Sequence, residues 1–305
     1  MANNKLLNWL LFILLSFIWG SSFILMKASR QGLSATQIAG LRIFSAGLVF
    51  LPFAIFNIRR IPRQKIAVVA VTGLLGNLFP AFLFAAAIFK TDSSLAGILN
   101  SLTPISVVII GSLFFNNKAS RQKVIGVVIG FVGLCLLTLT RKDISMGSFG
   151  YSLLIILATV CYGVNVNIVG HYLKGIKPLH TSSVSLSFML IPAGIALLQQ
   201  GFLQLNFLDP VVSQAVLLTV LLGVAGSALA TLLFYSLVQR AGGLFASLVT
   251  YGIPFVALFW GFLDGEDITL VSLICLLLIL AGVFLANRPD NSLARAEAAK
   301  NLTVE

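Results

Sequence analysis

Apolar residues come in long runs along this chain, and polar residues come in short clusters between them. A run of about 20 apolar residues can cross the hydrocarbon core of a bilayer as one α-helix. The pattern predicts ten such helices, near 6–27, 35–57, 65–89, 92–115, 121–140, 148–171, 178–199, 212–239, 242–263 and 267–287. The boundaries carry local signals. Ser34-Ala35-Thr36-Gln37 has capping-box spacing ahead of the second run. Pro178 suits the first turn of the seventh, and Gly242-Gly243 marks a tight connection before the ninth.

One stretch occurs twice. GLLGNLFPAFLFAAAIFKTDSSLAGILNSLTPISVVIIGSLFFN begins at Gly73, and GVAGSALATLLFYSLVQRAGGLFASLVTYGIPFVALFWGFLDGE begins 150 residues later at Gly223. Without a gap, Gly73 meets Gly223, Gly76 meets Gly226, Phe84 meets Phe234, Lys90 meets Arg240, Ala96 meets Ala246, Pro104 meets Pro254 and Gly111 meets Gly261. The chain therefore divides into a first repeat over 1–141, a second over 142–288 and a polar tail over 289–305. Each repeat holds five helices. Five is odd, so the second copy enters the membrane from the opposite side. The expected fold is an all-α integral membrane protein of two inverted five-helix repeats, an architecture that recurs in secondary transporters with a site between the halves.

Composition sharpens this. Of the 305 residues 58% are hydrophobic and 10% charged, whereas a soluble domain carries about 25% charged residues. The net charge of +11 does not point to nucleic acid, because the basic residues sit in connectors rather than along one solvated face. They read instead as orientation signals. With the N-terminus cytoplasmic, the inner segments hold Lys5, Arg59, Arg60, Arg63, Lys65, Lys118, Arg121, Lys123, Lys174, Lys177, Arg240, Arg288, Arg295 and Lys300. The outer loops hold only Lys27, Arg30, Lys90, Arg141 and Lys142. Both termini are expected inside. The first run is longer than a signal-peptide core and lacks a clear cleavage pattern, so it reads as retained. Cys135, Cys161 and Cys275 lie within apolar runs without metal-ligand spacing, which suits buried, reduced side chains.

The twentieth basic residue, Arg42, lies inside the second helix. An intramembrane arginine is costly and by default a functional candidate. It reads either as an anchor for a carboxylate or a gate partner, or as a side chain that snorkels outward or bonds carbonyls of a neighbouring helix. No acid accompanies it. Asp92, Asp143, Asp209, Asp264, Glu266, Asp267, Asp290, Glu297 and Glu305 all fall in loops, at helix ends or in the tail, and His171 and His180 lie near helix ends. An embedded proton or sodium relay is therefore not indicated. No P-loop, HExxH, GxSxG or Cys/His cluster occurs. The reading is of a non-enzyme with no catalytic residue, cofactor or metal.

Uncharged polar residues recur with the repeat. Trp19, Ser22 and Met26 share a stripe of the first helix, and Tyr162 and Asn165 match Trp19 and Ser22 at an offset of 143. Asn77 is matched by Ser227, and Asn100 by Thr250, which is followed by Tyr251. Pro104 and Pro254 are expected to kink their helices and free the carbonyls of Asn100 and Thr250, as hinges or binding edges. The alternatives are packing aromatics and static bends. Gly126-x-x-x-Gly130, with Gly133, reads as close helix packing within the monomer, or as a surface for a homodimer.

The chain resembles the drug/metabolite transporter superfamily, in its ten-helix branch with two EamA domains. The resemblance rests on FIWGSSFILMK, LRIFSAGLVFLP, SSLAGILNSLTPISVVIIGSLFF, FASLVTYGIPFVALFWGFLDGE and LAGVFLANR, and covers nearly the whole chain. It implies an inner- or plasma-membrane carrier with both ends inside, moving small metabolites, often amino acids and often outward, by alternating access. By position Trp19-Gly20, Arg42, Pro104 and Pro254 match the family's pattern, while Tyr162-Gly163 stands where a tryptophan is usual. The expected function is carriage of a small polar metabolite, an amino acid or related carboxylate, with the lipid bilayer as the other partner. The alternatives are a non-transporting scaffold and a channel.

Overall fold

The computed structural model describes residues 5–88, 99–117, 119–139, 149–263 and 270–287. Lys90, Ala96 and the tail at 289–305 lie outside them. Every regular element among the described residues is helical: α1 (Lys5–Ser29), α2 (Ala35–Asn57), α3 (Arg63–Gly73), α4 (Phe79–Ile88), α5 (Thr103–Phe114), α6 (Arg121–Leu139), α7 (Phe149–Tyr172), α8 (Pro178–Phe188), α9 (Leu190–Gln199), α10 (Pro210–Gly223), α11 (Ala230–Ala241), α12 (Gly243–Ser247), α13 (Val249–Leu263) and α14 (Leu270–Asn287), with two short 3₁₀ segments, Ile58–Arg60 and Phe202–Gln204, besides the two π turns described below. Six spans are long and apolar enough to cross a membrane, and shorter apolar helices accompany them. The cap at Ser34 forms as its spacing predicts: the hydroxyl accepts from the Gln37 backbone and the Gln37 side chain accepts from Ser34 N–H.

Solvation is turned inside out. Phe114, Ile191 and Leu277 are 76%, 72% and 66% exposed, while Ser22, Asn77, Asn100, Asn165 and Ser227 are buried. In water such a surface would aggregate. In lipid it is the outer face, and the polar side chains become the interior.

Two runs are interrupted by π turns. Leu74–Leu78 joins α3 to α4, with Phe79 N–H donating to Leu74 O, and Val224–Leu229 joins α10 to α11, with Ala230 N–H donating to Ala225 O. The two begin 150 residues apart, at the offset of the repeated stretch.

Glycines set the distances between helices, and the contacts recur in pairs. Gly20 of α1 lies against Ile253 and Val256 of α13, and Gly163 of α7 against Ser106 and Ile110 of α5. Gly223 abuts the Arg42 carbonyl, and Gly73 the Ser185 carbonyl. Gly226 abuts Ser22, and Gly76 the Asn165 amide. Gly126 and Gly130 pack within the chain. A Cβ on Gly126 would meet the backbone of Gly282 and Ala286, and one on Gly282 the backbone of Gly126 and Gly130.

The ends of the bundle are tied in two sets. At one end Arg240 Nε donates to Asn8 Oδ1 (3.2 Å), and Gln239 Nε2 to Ile176 O (2.8 Å). At the other, Gln37 Nε2 donates to Gln200 O (3.0 Å), and Gly32 packs on Val211 and Val212.

Two expectations are corrected here. Tyr251 is fully buried, its ring against Gly130 and its hydroxyl donating to Val127 O at 2.8 Å. It joins α13 to α6 and is a packing residue. Pro104 does not kink a helix interior. The chain turns at Ser101-Leu102 and helix resumes at Thr103, so Pro104 sits in a first turn, where the missing N–H costs nothing. Pro254 lies deeper, within the helix that resumes at Val249 after a turn at Leu248. The breaks lie upstream of both prolines. The carbonyl of Asn100 is taken by the Thr103 hydroxyl at 2.6 Å rather than left free.

Replacing Gly282 by Ala should lower stability by about 1–3 kcal/mol, since the added methyl meets backbone that cannot rotate away. Gly150→Ala, with open space around it, should be neutral or slightly stabilising; thermal unfolding in detergent compares the two. In the same assay Tyr251→Phe should cost about 1 kcal/mol for the lost hydrogen bond, while ligand binding stays unchanged.

Candidate functional site

The two π turns face each other across a cavity of about 110 Å³. A π turn shifts the backbone register by one residue, so carbonyls leave the regular ladder and can receive side-chain donors. Gly226 O does so twice. It accepts from Trp19 Nε1 at 3.1 Å and from Arg42 Nη2 at 3.3 Å. The Arg42 Nε donates to Ser227 Oγ at 2.7 Å. A guanidinium inside a membrane protein is thus held by a backbone dipole and a hydroxyl, neither of which carries charge. Among the described residues no acid lines the cavity, and the Nη1 donors and the second Nη2 donor of Arg42 meet no protein acceptor among them.

Opposite stands Asn77. Its Oδ1 accepts from Thr231 Oγ1 at 2.8 Å, which fixes the amide plane, and its Nδ2 is buried without a partner. A buried donor left unpaired costs about 1–3 kcal/mol, so this one is a standing demand for an acceptor. Ser227 and Thr231 are four residues apart on one run, so Arg42 and Asn77 are anchored about 6 Å apart along it at 1.5 Å per residue.

The remaining wall is aromatic and hydroxylic. Trp19 meets Phe234 with centroids 5.2 Å apart, and Tyr162 stacks on Phe84 at 6.2 Å. Tyr235 donates from its hydroxyl to Asn165 Oδ1 at 3.3 Å. Ser22 turns its hydroxyl proton back to Ile18 O of its own helix, and Thr103 and Thr250 turn theirs back across the breaks to Asn100 O and Ser247 O; all three line the cavity.

Of the residues singled out by pattern, Trp19, Ser22, Arg42, Asn77, Asn100, Tyr162, Asn165, Ser227 and Thr250 all line this one cavity, and Tyr251 does not. The two readings of Arg42 are met together, because the side chain that bonds a neighbouring carbonyl also faces the cavity. Pattern reasoning missed Phe84, Phe234, Tyr235 and Ser247. The phenylalanines were signalled by their recurrence at 150 residues. Tyr235 and Ser247 have no counterpart of the same type and gave no signal. Among the described residues no group of His, Cys, Asp and Glu is placed to hold a metal.

Comparison with known proteins follows the same lines. An uncharacterized transporter of Archaeoglobus fulgidus is 25% identical over 92% of this chain and 99% of its own length. Protein PagO of Salmonella typhimurium is 24% identical over 90% and 91%. A probable amino-acid metabolite efflux pump of Salmonella typhimurium is 25% identical over 52% of this chain and 53% of its own. A solved crystal structure superposes with a TM-score of 0.69 over 91% of this chain and 95% of that one, at 18% identity, and so has the same fold. The profile of the EamA-like transporter family matches residues 7–139 and again 149–288. With nearly the whole length accounted for in that way, on a helical chain whose exterior suits lipid, the protein is a multi-pass membrane transporter and belongs to the EamA-like transporter family.

Proposed function

We propose that the protein is a secondary or facilitative carrier that moves a small carboxylate-bearing metabolite, of the amino-acid class, through this cavity by alternating access. The observation that carries the reading is the pair of unspent donors. Arg42 and Asn77 both present N–H groups to one cavity that no acid lines among the described residues. A carboxylate can accept from both, and its charge offsets the desolvated guanidinium. The aromatic wall of Trp19, Phe84, Tyr162 and Phe234 suits an apolar body or, through its π faces, an ammonium.

The wider architecture is part of the same proposal: ten transmembrane helices in two inverted five-helix repeats, over 1–141 and 142–288, in the cell membrane with both ends cytoplasmic and net movement outward. The paired glycine contacts and paired π turns support it, as does the bias of Lys and Arg toward the inner connectors. Tight turns at Ser101-Leu102 and Leu248, beside the cavity, give two places where helices can flex.

Flux measurements in proteoliposomes across a panel of labelled amino acids and other small carboxylates test this. Saturable flux of at least one is expected; its absence in protein shown to be folded overturns the reading, and currents far above carrier turnover would make it a channel. Arg42→Ala should weaken carboxylate substrates about tenfold or more, equivalent to about 1.4 kcal/mol or above, and neutral analogues by less than about twofold. Equal losses for both would assign Arg42 a structural role. Asn77→Ala should weaken binding about fivefold, as expected for one neutral hydrogen bond of about 1 kcal/mol, read as a smaller ligand-induced rise in thermal midpoint.

A further inference from the structure

A second and larger cleft, of about 380 Å³, lies at the end of the bundle where Gln239 meets Ile176. It is built on the same elements as the central cavity, one to four residues away along each. On α5, Thr103 lines the cavity and Val107 the cleft. On α7, Asn165 lines the cavity and Val166 and Asn167 the cleft. On α11, Tyr235 lines the cavity and Val238 the cleft, and on α12 the change falls between Ser247 and Leu244. The two spaces are thus separated by a single layer whose members include Val107, Val166 and Val238, exposed by only 5%, 1% and 2%. Gly243 closes against it, since a Cβ there would stand 2.6 Å from Val166 Cγ1. At 1.5 Å per residue those steps amount to about 6 Å at most, so the partition is thin as well as apolar.

The cleft is polar in a one-sided way. Lys123 and Lys174 line it, and among the described residues no acid does. Its amides are already engaged in holding the walls. Gln239 Nε2 donates to Ile176 O at 2.8 Å, and Asn167 Nδ2 to Val107 O at 3.0 Å and Gly163 O at 2.9 Å. They leave the two ammonium charges unneutralised, and neither lysine meets a carboxylate among the described residues. A concave site lined by one sign of charge raises the local concentration of the opposite ion.

We infer that this cleft is an anion-docking site on the transport path. Lys123 and Lys174 receive the carboxylate of the carried metabolite at the inner mouth, and the ion then crosses the valine layer to Arg42. The inference rests on the carboxylate reading of the central cavity, but its site is separate and can be tested separately. The layer explains why two cationic stations are needed. An anion entering a dry apolar constriction loses its hydration, and a cation on either side lowers the cost of approach and of arrival.

The test uses the full chain in phosphatidylcholine vesicles, which carry no net headgroup charge. Ala241, which lines the cleft, is replaced by Cys. Its reaction rates with a negative and a positive methanethiosulfonate of equal size are compared, relative to the parent protein and to a free thiol. The negative reagent should be favoured. Lys123→Gln with Lys174→Gln should reduce that preference about tenfold, and Lys123→Arg with Lys174→Arg should keep it. A preference that survives neutralisation overturns the docking site. Inner-side flux of the carboxylates that the parent carries should show a KM raised severalfold in the Gln pair with kcat retained; unchanged KM also overturns it. If the labelling preference behaves as expected while the parent moves no carboxylate, the anion site stands and the carrier reading of the central cavity falls.

Discussion

Inside a bilayer there is no water to satisfy a loose carbonyl or amide, and each such group left alone costs several kcal/mol. That constraint makes this chain helical, and it also says where the chain can depart from the helix. The π turns at Leu74–Leu78 and Val224–Leu229 border the cavity, and the breaks at Ser101-Leu102 and Leu248 lie next to lining residues. Three of the four have a local answer. Gly226 O is taken by Trp19 and Arg42, Asn100 O by Thr103, and Ser247 O by Thr250. The irregular backbone and the polar side chains need one another, so the site and the distortion of the helices are one feature. Remove the π turn and Arg42 loses its carbonyl; remove Arg42 and the carbonyl has only Trp19.

Close approach does the rest. Helices in lipid gain little from burying more apolar surface, so contact depends on shape. Glycine at 20, 73, 76, 163, 223 and 226 brings backbone or short polar groups of a neighbouring helix to the surface of each helix. At Gly223 the neighbour is the carbonyl of Arg42, and at Gly73 that of Ser185. The same backbone contact thus carries an arginine on one side and a serine on the other. Symmetric packing with an asymmetric side chain gives a cavity with one cationic wall.

Much of this was legible in the sequence. Hydropathy marked the six apolar spans found among the described residues, because a spanning helix must satisfy its own backbone and be apolar outside, and both demands are local. The offsets of 143 and 150 residues brought Trp19, Ser22, Tyr162, Asn165, Asn77 and Ser227 to notice, and these share the cavity. The errors have physical causes. Tyr251 neighbours Thr250, yet helix geometry turns adjacent residues about 100° apart, so one faces the cavity and the other Gly130. Pro104 was read as a kink because hydropathy runs smoothly through it. A turn at Ser101-Leu102 leaves no trace in an apolar average. The π turns were hidden for the same reason, although Gly73-x-x-Gly76 and Gly223-x-x-Gly226 marked their places.

The charges of the protein follow from the same thin dielectric. Arg42 keeps its charge among apolar helices, and dipoles are fixed around it; Ser227 Oγ and Gly226 O are held by helices that glycine contacts lock in place. Those dipoles offset part of its desolvation and none of its charge. An anion would offset both. The lysines at Lys123 and Lys174 need no such support, because they sit at the mouth of a cleft open to solvent. A cation that must be built into the interior and cations that need only be left unpaired at the rim differ in cost. The costly one is single, and the pair at the rim is cheap.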